Sequence, residues 1–196
     1  MQFYNELGQL IDHRNIESVE QHQATMYIPT DAVVLELGAR YGTVTCAISA
    51  KLKNKDALVS VEPDARVWQS LESNVEKNNC RAHIVKGFIS SKSMILTRLE
   101  TSHATTSIIS ETSTIASYTL DEIQTKYGLT FNTLIADCEG FLEQFFEENP
   151  TFMDQLTLMI FEKDYPHKCN YNKIEADLKQ KGFKCIVNGF HSVWKK

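Results

Sequence analysis

Several features that would each announce a class of protein are missing from these 196 residues. No apolar run approaches the ~18 residues that a membrane-spanning helix needs. The opening Met1-Gln-Phe-Tyr-Asn-Glu6 has neither the basic start nor the apolar centre of a secretory leader. Positive charge is not in excess: 20 Lys and Arg stand against 25 Asp and Glu, a net charge of -5. A broad nucleic-acid footprint, which needs a basic face, is therefore not expected. The five cysteines (Cys46, Cys80, Cys138, Cys169 and Cys185) are odd in number and form no Cys-x-x-Cys pair. That pattern argues for separate reduced thiols in a cytosol-like compartment, and against a disulfide frame or a zinc site. Internal repeats and low-complexity linkers are absent, and so is the G-x-G-x-x-G turn that seats a dinucleotide pyrophosphate.

What is present is the composition of an ordinary globular domain, 42% hydrophobic and 23% charged. One domain over 1–196 is expected, soluble and cytoplasmic, with residues 1–30 as a helical cover. Within that cover Phe3, Leu7, Leu10 and Ile11 have helical spacing. Beyond it, apolar runs alternate with helical patterns. Strands are expected at 32–37, 57–61, 82–85, 131–136 and 156–161, with helices between them. Residues 90–118 read as an irregular Ser- and Thr-rich insertion, with a possible pair of short strands around Ile95 and Ile108, and cover an acceptor pocket. Thr119-Leu-Asp-Glu122 and Asn172-Lys-Ile-Glu175 are capping boxes that open helices, and Gly182 closes the second. The runs 183–187 and 190–194 flank Asn188-Gly189, a strong hairpin signal. These elements add up to an α/β fold. It is a doubly wound, Rossmann-like, seven-stranded and mostly parallel sheet with a C-terminal antiparallel hairpin and helices on both faces.

Open sheets of this kind bind ligands beyond the carboxyl ends of their strands, and four segments fall there. In Glu36-Leu-Gly-Ala-Arg-Tyr-Gly42, Glu36 ends the first strand and Gly38 and Gly42 bracket a tight turn. Such a turn lets backbone approach a ligand, although glycines also serve purely structural turns. Glu62, in Val61-Glu-Pro-Asp64, follows Gly42 by 20 residues and ends the second strand, where a carboxylate accepts hydrogen bonds from a ribose diol. A solvated acidic strand end is the simpler alternative. Gly87 and Phe88 end the third strand, where the base attached to such a ribose would lie, unless Phe88 is core. Asp137-Cys-Glu-Gly140 ends the fourth strand with two carboxylates, favoured by the positive start of the next helix or serving merely as its cap. Cys138 between them is a packing residue by default and a reactive thiol otherwise. Glu162-Lys-Asp-Tyr-Pro-His167 ends the fifth strand and is again acidic, as surface beyond a strand end often is.

Taken together, residues 34–42, 61–64, 119–122 and 134–140 resemble the FkbM family of class I methyltransferases, in the order that family shows. The sequence departs from that pattern at Glu36, Arg40, Tyr41 and Ala136. The resemblance implies S-adenosylmethionine as cofactor and methyl transfer to oxygen, often a hydroxyl of a sugar or secondary metabolite. Glu36, Gly38, Ala39, Arg40, Tyr41, Gly42, Glu62, Pro63, Gly87 and Phe88 are then the cofactor candidates. Asp137, Glu139 and His167 are the candidate catalytic groups. The acids at one sheet edge also suit Mg²⁺ or Mn²⁺, with Asp137, Glu162 and Asp164 as ligands and Glu139 as base. A small-molecule or carbohydrate acceptor is expected, and the oligomeric state is left open. The alternatives are an NAD- or nucleotide-sugar-binding oxidoreductase, a methyltransferase of protein or nucleic acid, and a module without chemistry.

Overall fold

The computed structural model describes residues 1–98 and 105–196, with Arg98 placed by its backbone alone. Seven strands form the main sheet: β1 (Val34–Leu37), β2 (Leu58–Glu62), β3 (His83–Lys86), β4 (Thr133–Ala136), β5 (Leu158–Glu162), β6 (Lys184–Val187) and β7 (His191–Lys195). Their spatial order is β3-β2-β1-β4-β5-β7-β6. The first five run parallel, and β7 inserts antiparallel between β5 and β6. The chain thus leaves β1 toward β2 on one side and finds β4 on the other, which opens a crevice at the β1–β4 boundary.

Strands buried on both faces read as apolar runs, and alternation sends successive side chains to opposite layers. Val34, Leu58, Ile135 and Ile160 pack with Ala24 and Ile28 of helix α1 (Ser18–Tyr27) and with Val44 and Ile48 of α2 (Thr43–Lys51). Leu35, Val59, Leu134 and Met159 face the other layer. That layer holds α4 (Leu120–Tyr127), α5 (Leu142–Glu148), α6 (Phe152–Gln155) and α7 (Tyr171–Gln180). Helix α3 (Trp68–Lys77) packs Leu71 and Val75 into a third cluster with Phe3, Ile11, Ala39 and Tyr41. The expected pair of short strands is present: Met94–Arg98 runs antiparallel to Thr105–Ile109, with Ile95 opposite Ile108. The tip of the 90–118 insertion lies outside the described residues.

Four expectations are corrected. The N-terminal segment is no helix; Phe3–Tyr4 pairs antiparallel with Leu10–Ile11. Asn5 enforces the turn, because its Oδ1 accepts the Leu7 and Gln9 N–H groups at 3.0 and 2.9 Å. Phe3 and Ile11 are buried, whereas Leu7 and Leu10 are 74% and 63% exposed. Helix α7 is capped by Asn170, whose side chain accepts from the Lys173 N–H, and not by Asn172. Glu175 is drawn away to Lys163, 2.7 Å distant. The C-terminal hairpin exists, but neither Asn188 nor Gly189 takes the positive φ of a two-residue primed turn. Val187 pairs with Val193 across a register shift between Cys185 and Val187, so the connection is longer than a two-residue turn. Finally, Cys46 of α2 and Cys80 beyond α3 form a disulfide, with Cα atoms 5.3 Å apart. Only tertiary packing brings these two together, and the argument from separate thiols to a reducing compartment falls with it. Cys138, Cys169 and Cys185 remain thiols. Among the described residues no helix is long and apolar enough to cross a membrane.

Asn74 ties the third cluster together. It is fully buried on α3; its Nδ2 donates to the Tyr4 and Tyr41 carbonyls, and its Oδ1 accepts the Tyr4 N–H, each at 2.9 Å. A buried backbone group left without a partner costs about 1–3 kcal/mol. Asn74→Ala should therefore lower the unfolding free energy by about 3 kcal/mol in urea titration of the oxidised protein. A loss below about 1 kcal/mol would show that this side chain is not what holds the N-terminal hairpin to the sheet.

Candidate functional site

The carboxyl ends of β1, β2 and β4 open into a cleft whose empty space, open solvent included, is about 720 Å³. Gly38 forms its floor at φ +92°. A Cβ built there would stand 1.8 Å from the Asp137 carbonyl oxygen, so only glycine lets the two strand ends meet. The Gly38 and Ala39 N–H groups both donate to the Val61 carbonyl at 3.0 Å. Arg40 follows at φ +42°. Its N–H donates to Glu62 Oε2 at 2.8 Å, while the Asp64 N–H donates to Oε1 at 2.7 Å. Glu62 is thereby fixed facing the cleft, beside Pro63 and Val67. Gly87 and Phe88 close the apolar wall, Phe88 being both buried core and cleft lining. A Cβ on Gly87 would meet the Ala116 carbonyl oxygen at 2.3 Å. On the opposite side Leu96, Thr105 and Ser107 of the insertion hairpin line the same space.

The polar end of the cleft is a crowd of carboxyls. Burial, followed by repulsion from Asp164 and Glu20, pushes Asp137 up to about 7. Burial and then Asp137 push Glu139 up to about 8, and burial with Asp137 and Glu20 pushes Glu162 up to about 9. Glu17, which the sequence did not single out, lines the cleft and bonds Thr43; burial raises it to about 8. Neither Asp137 nor Glu139 caps α5, whose N-cap is Phe141 without a side-chain bond. The helix start does not favour their charged forms; desolvation outweighs it. The Cys138 thiol is pushed well up by burial and by Asp164, which fits a packing residue.

Not every candidate reaches the cleft. Gly38, Arg40, Glu62, Pro63, Gly87, Phe88, Asp137 and Glu139 line it. Glu36 lies within β1, and alternation turns it into the α2 layer, where its Oε2 accepts from Thr45 and Ser60. Ala39, Tyr41 and Gly42 stand behind the turn, with the Tyr41 hydroxyl donating to Glu6 at 2.6 Å. His167 is exposed and lies on a separate surface hollow with Lys163 and Asn172, outside the cleft lining. The expected ligand set Asp137, Glu162 and Asp164 is redrawn. Side-chain oxygens of Asp137, Glu139 and Asp164 lie within 4.8 Å of one another, whereas Glu162 takes metal spacing with Glu20 and His191. Glu20 and Gln23 were missed because they lie on α1, which buries them with Ala24 in place of an apolar stripe. The legible sign was a helix whose i and i+3 positions are polar where a core helix has apolar ones.

No family model matches the chain, and no curated protein sequence does either. Solved structures do match. Precorrin-6y C5,15-methyltransferase from Geobacter metallireducens GS-15 shares 12% identity over 95% of this chain and 91% of its own, with a TM-score of 0.57. An O-methyltransferase from Bacillus cereus, solved in complex with SAH, shares 12% over 95% and 84%, with a TM-score of 0.56. Ribosomal protein L11 methylase from Lactobacillus delbrueckii subsp. bulgaricus shares 12% over 91% and 77%, at 0.52. At these identities the likeness establishes the fold, the Rossmann-like architecture shared by these methyltransferases. Their named acceptors differ in kind, so the acceptor does not follow from the architecture.

The buried carboxyls set the pH dependence of stability. Glu17, Glu36 and Glu62 are raised from an ordinary 4.5 to about 8, 7 and 7, each chiefly by burial. The folded chain keeps protons that the unfolded chain releases, so their stabilisation is complete below pH 4.5 and is lost as pH rises through 7 to 8. The ligand-free protein should melt several degrees lower at pH 8.5 than at pH 5. Glu36→Gln keeps an acceptor toward Thr45 and Ser60 but has no proton to lose, and should flatten the profile. A melting temperature that climbs over this interval contradicts the assignment.

Proposed function

We propose that this chain is an S-adenosylmethionine-dependent methyltransferase acting on oxygen, with a hydroxyl of a small molecule, foremost a sugar or glycan, as acceptor. The observation that carries the reading is convergence. A glycine turn that tolerates no Cβ, a buried carboxylate held by two backbone N–H groups, and a pair of acids from the next strand line one cleft. The fold is one that known methyltransferases use, one of them solved with SAH. The choice of oxygen and of a sugar-like acceptor is supported by the FkbM-like motifs alone.

The residues present suit the cofactor. Glu62 retains lone pairs for a ribose diol after accepting from Arg40 and Asp64. Pro63, Val67 and Phe88 offer an apolar wall to a purine. When bound, the cofactor supplies an electrophilic methyl group on a sulfonium. The chain must align the acceptor oxygen with it and take the hydroxyl proton. Asp137 and Glu139 border the space left for the acceptor, and their elevated affinity for protons near neutrality suits a general base. The reading does not depend on the divalent ion, Mg²⁺ or Mn²⁺, that these acids also suit. A plain dinucleotide-binding oxidoreductase accounts neither for the absent G-x-G-x-x-G nor for the antiparallel β7.

Calorimetric titration with S-adenosylmethionine, with NAD as the control, tests the class; binding of NAD alone would overturn it. Glu62→Ala should weaken S-adenosylmethionine binding by about tenfold or more, the worth of a charge-assisted hydrogen bond. Glu139→Gln should hold cofactor affinity within about threefold while cutting turnover by at least ~100-fold, the usual share of a general base. Product analysis over sugars, small phenols, protein and RNA acceptors decides the substrate class.

A further inference from the structure

Asp164 is placed as a metal ligand is placed. It is 8% exposed, in the loop after β5. Its Oδ1 accepts the Gly140 N–H at 3.1 Å and the Tyr171 hydroxyl at 2.6 Å. Among the described residues its Oδ2 is buried with no N–H or hydroxyl donor, and the group it shares its surroundings with is the Glu139 carboxyl, whose proton affinity Asp164 raises. A buried carboxylate oxygen left so is costly unless a cation or donor meets it. Side-chain oxygens of Asp137 and Glu139 lie within 4.8 Å of Asp164 and of each other. These three acids come from two strand ends, β4 and β5, and so converge only in the folded chain. Arg40 brings positive charge to Asp137 and Glu139, but one guanidinium does not balance three carboxyls.

We propose that Asp137, Glu139 and Asp164 form a binding site for a hard divalent cation of the Mg²⁺ or Mn²⁺ kind at the polar end of the cleft. All three donors are carboxylate oxygens, a set that favours such ions over zinc. Outer support is in place. Tyr171 is itself buried and stacked on Phe161 with ring centroids 6.0 Å apart, so its hydroxyl holds one Asp164 oxygen and leaves the other directed elsewhere. Outer partners of this kind orient ligands and commonly contribute 10–100-fold in affinity. The ion's catalytic role rests on the methyl-transfer reading: held by these carboxylates it would lower the pKa of the acceptor hydroxyl in place of a general base, and the hydroxyl proton would pass to solvent. The site itself rests on the three carboxylates.

Titration of the purified protein with Mn²⁺, followed by the loss of the free-ion electron paramagnetic resonance signal, tests the site without any turnover. One ion per chain is expected. Asp164→Asn should weaken binding by about 100-fold and Tyr171→Phe by about tenfold. Glu20→Gln should leave it within threefold, because Glu20 belongs to the neighbouring group with Glu162 and His191. Circular dichroism checks the fold of each variant, and if Asp164→Asn does not fold, Tyr171→Phe decides. Absence of Mn²⁺ binding at millimolar concentration, wild-type affinity in Tyr171→Phe, or abolition by Glu20→Gln would each overturn the assignment. A parallel S-adenosylmethionine titration separates the two claims. Cofactor binding without Mn²⁺ removes the cation site and spares the enzyme reading; Mn²⁺ binding without cofactor supports the site and sinks the reading.

Discussion

At the end of β1 a hydrogen atom stands where any other residue would carry carbon, and the carbonyl of Asp137 fills the space beyond it. The Asp137 N–H in turn donates to the Leu37 carbonyl at 3.0 Å, so the two strand ends are joined up to the point where each turns away. Everything at the cleft depends on that approach. It sets the turn that positions Glu62 against the strand end that carries Asp137 and Glu139. A methyl group in that position would push β1 from β4 and separate the apolar half of the cleft from its acidic half.

Bringing those halves together has an electrostatic consequence. Glu17, Asp137 and Glu139 line one end of the cleft with Glu162 close to Asp137, and burial raises the proton affinity of each. A fold selected for stability alone would place apolar side chains there, since buried like charges oppose folding. Helix α1 shows the same preference, burying Glu20 and Gln23 where a core helix would bury leucine. Departures from the core pattern concentrate where chemistry is expected and are compensated elsewhere. Large apolar clusters on both faces of the sheet supply that compensation.

The N-terminal hairpin belongs to this compensation. Through Asn74 it is bonded to the backbone of the glycine turn, and through Glu6 to the Tyr41 hydroxyl. The Cys46–Cys80 bridge joins α2, which begins at that turn, to the end of α3. The turn is thus held from behind by three kinds of interaction, none of which faces the ligand side. Tyr41 and Gly42 serve the site by fixing its shape, which is why they belong to the motif without lining the cleft.

Most of the sheet was legible in the sequence, because burial on both faces leaves continuous apolar runs and alternation with helices permits few topologies. Glu62, Gly38 and the Asp137–Glu139 pair were legible too, since strand ends in such a sheet converge on one edge. Local structure outweighed the sequence signal at the N-terminus, where Asn5 makes a turn of a helical-looking segment, and at Asn188-Gly189, where a register shift in the hairpin displaces the two-residue turn. Pairings between distant positions were not legible: Cys46 with Cys80, Asn74 with Tyr4 and Tyr41, Glu17 with the cleft, Asp164 with Glu139 in place of Glu162. The sequence by itself determined the elements of the main sheet and the edge on which its acidic strand ends converge, because both follow from burial period and strand direction. Which acids meet at that edge was decided only by the tertiary structure, because side-chain direction within a loop depends on contacts that no local spacing encodes.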